Sequence, residues 1–382
     1  MITTRLHQQF ADIFSSSPLV VRAPGRINLL GEHTDYNEGF VLPAAINFTA
    51  HVAIARRNDN RVVLYSAEFH ETYETDLPSL HPVKNWPDYV TGVVAQLLKN
   101  DFRLSGFNLI LTSNIPIGAG LSSSAAVECA VGYALNKLFD LKIETLQLAR
   151  IAQRAEHEFA GTMCGIMDQF ASLFGRKDHV VKLDCRSLEH QYLPFQFTGV
   201  EVVLLDTGVK HALASSEYNT RRQECAEGVS VIAKKYPQVS SLRDATAVMV
   251  DECIPTNSVI YNRCRYVVEE NERLLAACDD LMNRDILAFG KKMFQTHSGL
   301  SNLYEVSCPE LDFLVKHTKN MPGVLGARMM GGGFGGCTIN LINSDQVQSV
   351  IDSASSAYRL ETGKTLMTYR VSLADGASVT TR

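Results

Sequence analysis

The stretch Gly118-Ala119-Gly120-Leu121-Ser122-Ser123-Ser124-Ala125-Ala126 separates two differently patterned segments. Ahead of it, the β-type apolar run Leu109-Ile110-Leu111-Thr112 reaches the glycines through Pro116. Behind it, a small-residue helical pattern covers about residues 122–139. Strand, glycine loop and helix start, in that order, aim several backbone N–H groups at one spot. The first N–H groups of a helix lack internal partners, and the helix dipole favours negative charge there. Glycine lets the backbone approach closely, and the serines add hydroxyls for phosphate or for a metal ion. No Gly-Lys-Ser/Thr follows, so this is not the phosphate loop of the common NTPases. A plainer reading makes it a turn whose serines cap a helix.

With 382 residues the chain can hold two domains, or one large domain with a cleft. Its 46% hydrophobic and 20% charged residues suit a soluble globular protein. A net charge of −5 argues against a broad nucleic-acid footprint. The pairs Lys234-Lys235 and Lys291-Lys292 read as solvated helix faces. Nine cysteines without a C-x-x-C pair fit reduced thiols better than a disulfide framework or a zinc site. The segment 1–9 lacks the apolar core of a signal peptide. No run reaches the roughly 18 apolar residues of a membrane span. The expected location is cytoplasmic, with neither a membrane nor a nucleic acid as partner.

Leu6, Phe10, Ile13 and Phe14 recur at helical spacing, and Pro18 ends that helix. Leu19-Val20-Val21 begins a strand that runs into a polar stretch at residues 23–40. Alternation from Ile46 to Ile54 predicts a strand with one buried face, and residues 61–67 predict another. Tyr89, Val90, Val93, Val94, Leu97 and Leu98 mark an amphipathic helix. Helices are expected at about 144–160 and 166–174, and strands at 180–183 and 200–205. Residues 215–236 and 257–300 read as helical, and a soft boundary falls near Pro194. The remainder reads helix 309–319, strand 324–329, glycine turn, strand 338–342, helix 345–360, strand 366–371. That order fits part of a ferredoxin-like sandwich.

The glycine turn is Met330-Gly331-Gly332-Gly333-Phe334-Gly335-Gly336-Cys337. Alone it suggests a structural hairpin; beside the first loop it suggests a nucleotide bracketed by one loop on each wall of a cleft. Residues 23–43 (APGRINLLGEHTDYNEGFVLP), 118–126 (GAGLSSSAA) and 331–336 (GGGFGG) resemble the three motifs of the GHMP small-molecule kinases. That family includes galactokinases, homoserine kinases and mevalonate kinases. The first motif, Gly165-Ile166-Met167-Asp168-Gln169 and Ser216-Glu217-Tyr218-Asn219-Thr220-Arg221-Arg222 are similar to the galactokinase branch in particular. The resemblance implies an α+β, two-lobed architecture with the active site in the cleft between lobes. Residues 1–194 would form an N-terminal mixed α/β lobe carrying the sugar-binding motif and the phosphate loop. Residues 195–382 would form a C-terminal lobe with a helical segment and the ferredoxin-like sandwich.

The first motif sets Glu32, His33, Thr34 and Asp35 side by side. Carboxylates accept hydroxyl protons strongly, so these groups favour a neutral polyol, whereas an anionic substrate would call for Arg or Lys. The plain alternative is a solvated polar loop. By resemblance, Gly165, Asp168 and Tyr218 complete the substrate site, although a Tyr at a helix start otherwise suggests packing. The resemblance also makes Asp168 the catalytic base and Arg26 the stabiliser of the transition state. Without it, Asp168 reads as a helix cap or ion-pair residue. An Asp near its ordinary pKa of about 3.9, beside an Arg, is a weak base. A loose phosphoryl-transfer transition state nevertheless allows late deprotonation. Arg26 would then clamp the transferring group.

Gly118, Ala119, Gly120, Leu121, Ser122, Ser123 and Ser124 would hold the triphosphate of ATP. Ser124 and a glutamate would hold Mg2+, which keeps waters and phosphate oxygens as further ligands. Glu156 and Glu158 flank the buried stripe of their helix, and spacing leaves both open. The family register selects Glu156 and gives His157 no role. Trp86 suits core packing and base contact equally.

The resemblance implies a sugar 1-kinase that phosphorylates the anomeric hydroxyl of α-D-galactose with MgATP, yielding galactose 1-phosphate and ADP. This would be the first committed step of galactose catabolism, carried out by a monomer or a weak homodimer. The alternatives are a kinase for a related hexose such as N-acetylgalactosamine, and a non-catalytic galactose- and ATP-sensing regulator.

Overall fold

The computed structural model describes residues 2–209 and 214–380. In chain order it begins α1 (Ile2–Phe14), β1 (Leu19–Asn28), β2 (Phe40–Val41), β3 (Pro43–Arg56), β4 (Arg61–Ser66) and β5 (Glu71–Asp76). Next come α2 (Asp88–Lys99), β6 (Phe107–Ser113), α3 (Ser123–Phe139), α4 (Thr145–Ala155) and α5 (Met167–Phe174). Then follow β7 (His179–Asp184), β8 (His190–Pro194) and β9 (Val200–Asp206). Helices α6 (Ala214–Ala233), α7 (Ala247–Cys253), α8 (Val259–Met282), α9 (Ile286–Asn302) and α10 (Pro309–Lys319) lead to β10 (Val324–Met329). The last elements are β11 (Cys337–Asn343), α11 (Val347–Thr362), β12 (Met367–Val371) and β13 (Ser378–Val379).

Alternation along the apolar strands produces the first sheet, ordered β13-β1-β3-β6-β4-β5. Val21, Val52 and Leu111 lie in register, and so do Val20, Ala53 and Ile110 on the opposite face. The second set packs on Leu6 and Phe10 of α1. The first set joins the main core, which α2, α3, α4 and α5 cover with residues such as Val93, Ala130, Leu148 and Phe170. All neighbours in this sheet are antiparallel except β4 and β6.

The second sheet is ordered β10-β11-β9-β12 with every pair antiparallel. With α10 before β10 and α11 before β12, this is the expected ferredoxin-like arrangement. A small third sheet, β2-β7-β8, links the polar stretch after β1 to the chain beyond α5. β8 ends at Pro194, and β13 crosses back to pair Val379 with Val21.

Two expectations change, and one strand was not expected. The helix predicted over 257–300 is two, because the Asp285 side chain accepts the Ala288 N–H at 2.9 Å and starts α9. The strand β5 was hidden by its charged, exposed edge sequence, which shows no apolar alternation. The helix predicted over 144–160 changes at Glu156 into a π-helical turn, closed by the Gly161 N–H donating to the Glu156 carbonyl at 2.9 Å. Among the described residues no helix is long and apolar enough to cross a membrane, and all nine cysteines are free.

Candidate active site

Three elements bring the central cluster together. β1 supplies Arg26, the loop after β6 supplies residues 118–122, and the first turn of α5 supplies Asp168. The Arg26 backbone N–H donates to the Leu121 carbonyl at 3.1 Å, which fastens the loop to the strand. Its guanidinium grips Asp168 with Nε on Oδ1 at 2.7 Å and Nη2 on Oδ2 at 2.9 Å, and Nη1 donates to the Gly120 carbonyl. Such a two-pronged pair fixes the plane of the carboxylate. Burial opposes the Arg26 charge, but Asp168, Glu32 and Asp35 together hold its pKa above the ordinary value.

The serines of the loop do not cap α3. Ser122 has φ 54° and no capping bond, and its hydroxyl donates to Asp168 instead. The Ser124 hydroxyl donates to Glu156 at 2.9 Å. Their partners distinguish the two glutamates that spacing left open. Glu156 is buried beside Ser124, while Glu158 accepts from Gln96 at 2.8 Å and pairs with Lys99 at 3.1 Å. Burial, then the Asp168 charge, push the Glu156 carboxyl up to about 7. Gln169 donates to Glu156 at 2.9 Å and to the buried Glu128 at 3.2 Å, a second layer that the sequence did not reveal. Among the described residues no group of three or more His, Cys, Asp or Glu could hold a metal ion. Oxygen ligands at Ser124 and Glu156 fit a cation that takes its remaining ligands from phosphate and water.

Glu32 is fully enclosed. Its Oε1 accepts the Gly331 N–H at 2.7 Å and the Arg328 guanidinium at 3.0 Å. Burial pulls its pKa up, but Arg328, Arg26 and the Gly331 N–H hold it below the usual value. Arg328, on β10, is itself fully buried and also donates to the carbonyls of Leu29 at 2.7 Å, Met329 at 2.6 Å and Asn28. The sequence contained a signal for it: a charged residue inside the otherwise apolar run Val324-Leu325-Gly326-Ala327-Arg328-Met329-Met330.

His33 stands between Tyr36 and the glycine turn. Its Nε2 faces the Gly332 carbonyl at 3.2 Å and so carries the proton, while Nδ1 accepts from the Tyr36 hydroxyl at 2.8 Å. Burial lowers its pKa to about 4, so the ring is neutral at physiological pH. The Tyr36 hydroxyl continues to Tyr304 at 2.8 Å, and the Tyr218 ring lies 5.2 Å from His33. The Thr34 hydroxyl is turned into its own loop, donating to the carbonyls of Gly31 and Phe40. Asp35 lies against Gly165 so closely that a Cβ there would stand 2.0 Å from Oδ2. Burial, then the neighbouring Asp168 charge, raise Asp35 to about 7.

Two expectations need correction. The second glycine turn does not face the first across a cleft; the two loops touch, and a Cβ on Gly331 would come 3.3 Å from the Gly120 carbonyl. Gly331 and Gly120 have φ of +83° and +75°, which side chains rarely adopt, and a Cβ on either would make a tight contact with the other loop. The nearby cleft, of about 840 Å³, opens instead beside Ser123 and Ser124 and is lined by Phe69, Trp86, Tyr89 and Ile117. Trp86 donates to Glu71 at 3.0 Å while forming part of that wall. Nor is His157 a spectator: its Nε2 bonds the Cys164 carbonyl at 2.8 Å and steadies the approach to Gly165.

Known proteins resemble this chain in sequence and fold. The family model described as "Galactokinase galactose-binding signature" matches residues 8–56. The GHMP kinases N terminal domain matches residues 88–176, and the GHMP kinases C terminal domain matches 275–360. A galactokinase of Thermotoga maritima is 42% identical over 356 residues, covering 93% of this chain and 98% of that protein. One of Clostridium acetobutylicum is 40% identical over 384 residues, covering 98% of each. The crystal structure of Lactococcus lactis galactokinase complexed with galactose has a TM-score of 0.96 at 32% identity and covers 100% of both chains. The Methanococcus jannaschii mevalonate kinase, at 16% identity, a TM-score of 0.64 and coverage of 94% of this chain and 99% of that one, shares the fold alone.

Proposed function

The chain belongs to the galactokinases of the GHMP kinase family, and from that premise we propose how its residues transfer the γ-phosphoryl group of ATP to the C1 hydroxyl of α-D-galactose. The observation that carries the reading is Asp168, which meets the phosphate loop through Ser122 and faces the charge of Asp35 on the sugar side. Asp168 accepts the proton of the attacking hydroxyl, late in a loose transition state. Arg26 fixes the plane of that carboxylate and places positive charge where the transferring group passes. Glu32, His33, Asp35, Gly165 and Tyr218 surround the sugar, and Thr34 shapes the loop that presents them.

The triphosphate lies along residues 118–124, with donors from the Ser123 hydroxyl and from the loop N–H groups, that of Ser122 among them. The adenine enters the apolar cleft past Phe69 and Ile117, which are 51% and 62% exposed without it. Mg2+, held by Ser124 and Glu156, neutralises phosphate charge when bound. We infer further that the chain works as two lobes dividing near residue 194, in the reducing interior of the cell where its nine thiols stay free.

An ADP-release assay across galactose, glucose, galactosamine, N-acetylgalactosamine, homoserine and mevalonate tests the reading. Turnover is expected with galactose; turnover confined to homoserine or mevalonate would sink it. Glu156→Gln is expected to raise the Mg2+ concentration giving half-maximal rate by about tenfold, through loss of a charged ligand. An unchanged Mg2+ dependence would remove Glu156 from the metal site. Gly165→Ala must displace Asp35, whose Oδ2 would lie 2.0 Å from the new Cβ. The KM for galactose is expected to rise about a hundredfold, the cost of roughly an ångström of misplacement. The KM for ATP should stay within a few-fold, and an unaltered galactose KM would separate Asp35 from the sugar.

A further inference from the structure

The helix α4 has a second face that the reaction does not use. Its apolar stripe, Leu148, Ile151, Ala152 and Ala155, is buried. Arg150, Gln153 and Arg154 follow the spacing i, i+3, i+4 and share the opposite side, and His157 comes after them in the π-helical turn. All four line a cavity of about 370 Å³, into which Arg222 and Arg186 also reach. Its inner wall includes Asp35, Tyr36 and Gly165, so it adjoins the proposed sugar site without including Asp168 or the phosphate loop.

The charges there are unbalanced. Arg186 is matched by Glu38 at 2.8 Å and Asp244 at 2.7 Å. Arg222 spends one nitrogen on the Met163 carbonyl at 2.8 Å and keeps the rest of its fork. Among the described residues, Arg150 and Arg154 have no hydrogen bond or ion pair; the charge of Arg154 reaches Glu158, which Lys99 already holds. The lining contains a single carboxyl group, that of Asp35. An ordinary solvated helix face mixes both signs, whereas this one brings guanidinium groups together around a concave space.

We propose that this cavity binds a phosphate monoester of hexose size, at a site separate from the triphosphate loop. Guanidinium forks match the geometry of phosphate oxygens. The volume exceeds that of a bare oxyanion and falls in the range of small-molecule sites. Gln153 and His157 each commit one nitrogen to the Cys164 carbonyl, and their other polar atoms offer hydrogen bonds to the ester's hydroxyl groups. An occupant would press on Asp35 and Gly165 and weaken galactose binding; this effect, unlike the binding itself, rests on the sugar-site reading above.

The test uses the full chain with its triphosphate loop filled by a non-hydrolysable ATP analogue. Calorimetric titration with a hexose 6-phosphate and with inorganic phosphate is run on the wild type and on the Arg150→Ala/Arg154→Ala double variant. Both side chains are exposed, so the variant should fold, and its galactose turnover without added phosphate should match the wild type. The hexose phosphate is expected to bind the wild type and to bind the variant about tenfold or more weakly. Equal binding to both proteins, or none to either, overturns the site. Inorganic phosphate binding as tightly as the ester overturns the monoester assignment. Impaired basal turnover in the variant would overturn the separation from the catalytic site, whereas a wild type without galactose turnover would count against the kinase reading instead.

Discussion

Asp168→Asn is expected to lose about two to four orders of magnitude in kcat, the range associated with removing a positioned general base. Asparagine keeps the shape of the side chain and one oxygen for the Ser122 hydroxyl, but it cannot take up the sugar proton. It also dissolves the pair with Arg26, whose side chain is only 6% exposed. The guanidinium still holds the Gly120 carbonyl and still feels Glu32 and Asp35, so the loop should remain in place. The KM values for galactose and ATP are therefore expected within a few-fold of wild type. Steady-state kinetics with a thermal melt on the same sample separates lost chemistry from lost fold. A kcat near that of the wild type would exclude Asp168 as the base.

The second large effect concerns a residue that touches no substrate. Arg328→Met should destabilise the protein by about 3–5 kcal/mol, the usual consequence of stranding one member of a buried ion pair. Glu32 would be left enclosed with the Gly331 N–H, the Asn28 side chain and the charge of Arg26 in support, and three backbone carbonyls would lose the Arg328 donor. The pH dependence gives a sharper signature. In the wild type Glu32 titrates below its unfolded value of about 4.5, so its contribution is present above that pH and is lost as pH falls through the folded pKa. In the variant burial dominates and the folded pKa rises, so acidification should relieve the penalty. Denaturant titrations at pH 7 and pH 5 measure this. If both proteins lose stability equally between those pH values, the ion pair is not what holds Glu32 ionised.

Much of this was legible because it is periodic or local. The strand alternation of Ile46–Ile54 and the strand-loop-helix order around Gly118 identify the first sheet and its phosphate loop before any contact is known. The order of elements after Pro309 identifies the second sheet. What stayed hidden depended on departures from ideal geometry or on distant partners. Glu156 and Glu158 flank the buried stripe on an ideal helix, and only their distant partners tell them apart: one meets Ser124 and the other Lys99. Arg328 and Glu32 are 296 positions apart, and no spacing rule spans that interval. The contact between the two glycine loops joins segments about two hundred positions apart, and a sequence displays the glycines without saying what they meet.

The pairing of Val379 with Val21 also bears on how the molecule is made. Together with the bridge between Ile46 and Leu373, it has the first sheet close against segments synthesised more than three hundred residues later. The early strands can collapse on α1 and α3, but one edge of the sheet keeps open backbone groups until that late segment arrives. Such long-range closure is entropically slow, and it places the hazard of misassociation in the nascent chain rather than in the finished enzyme. Truncation before residue 373 should therefore cost yield and solubility, although it removes none of the residues proposed to touch galactose or ATP.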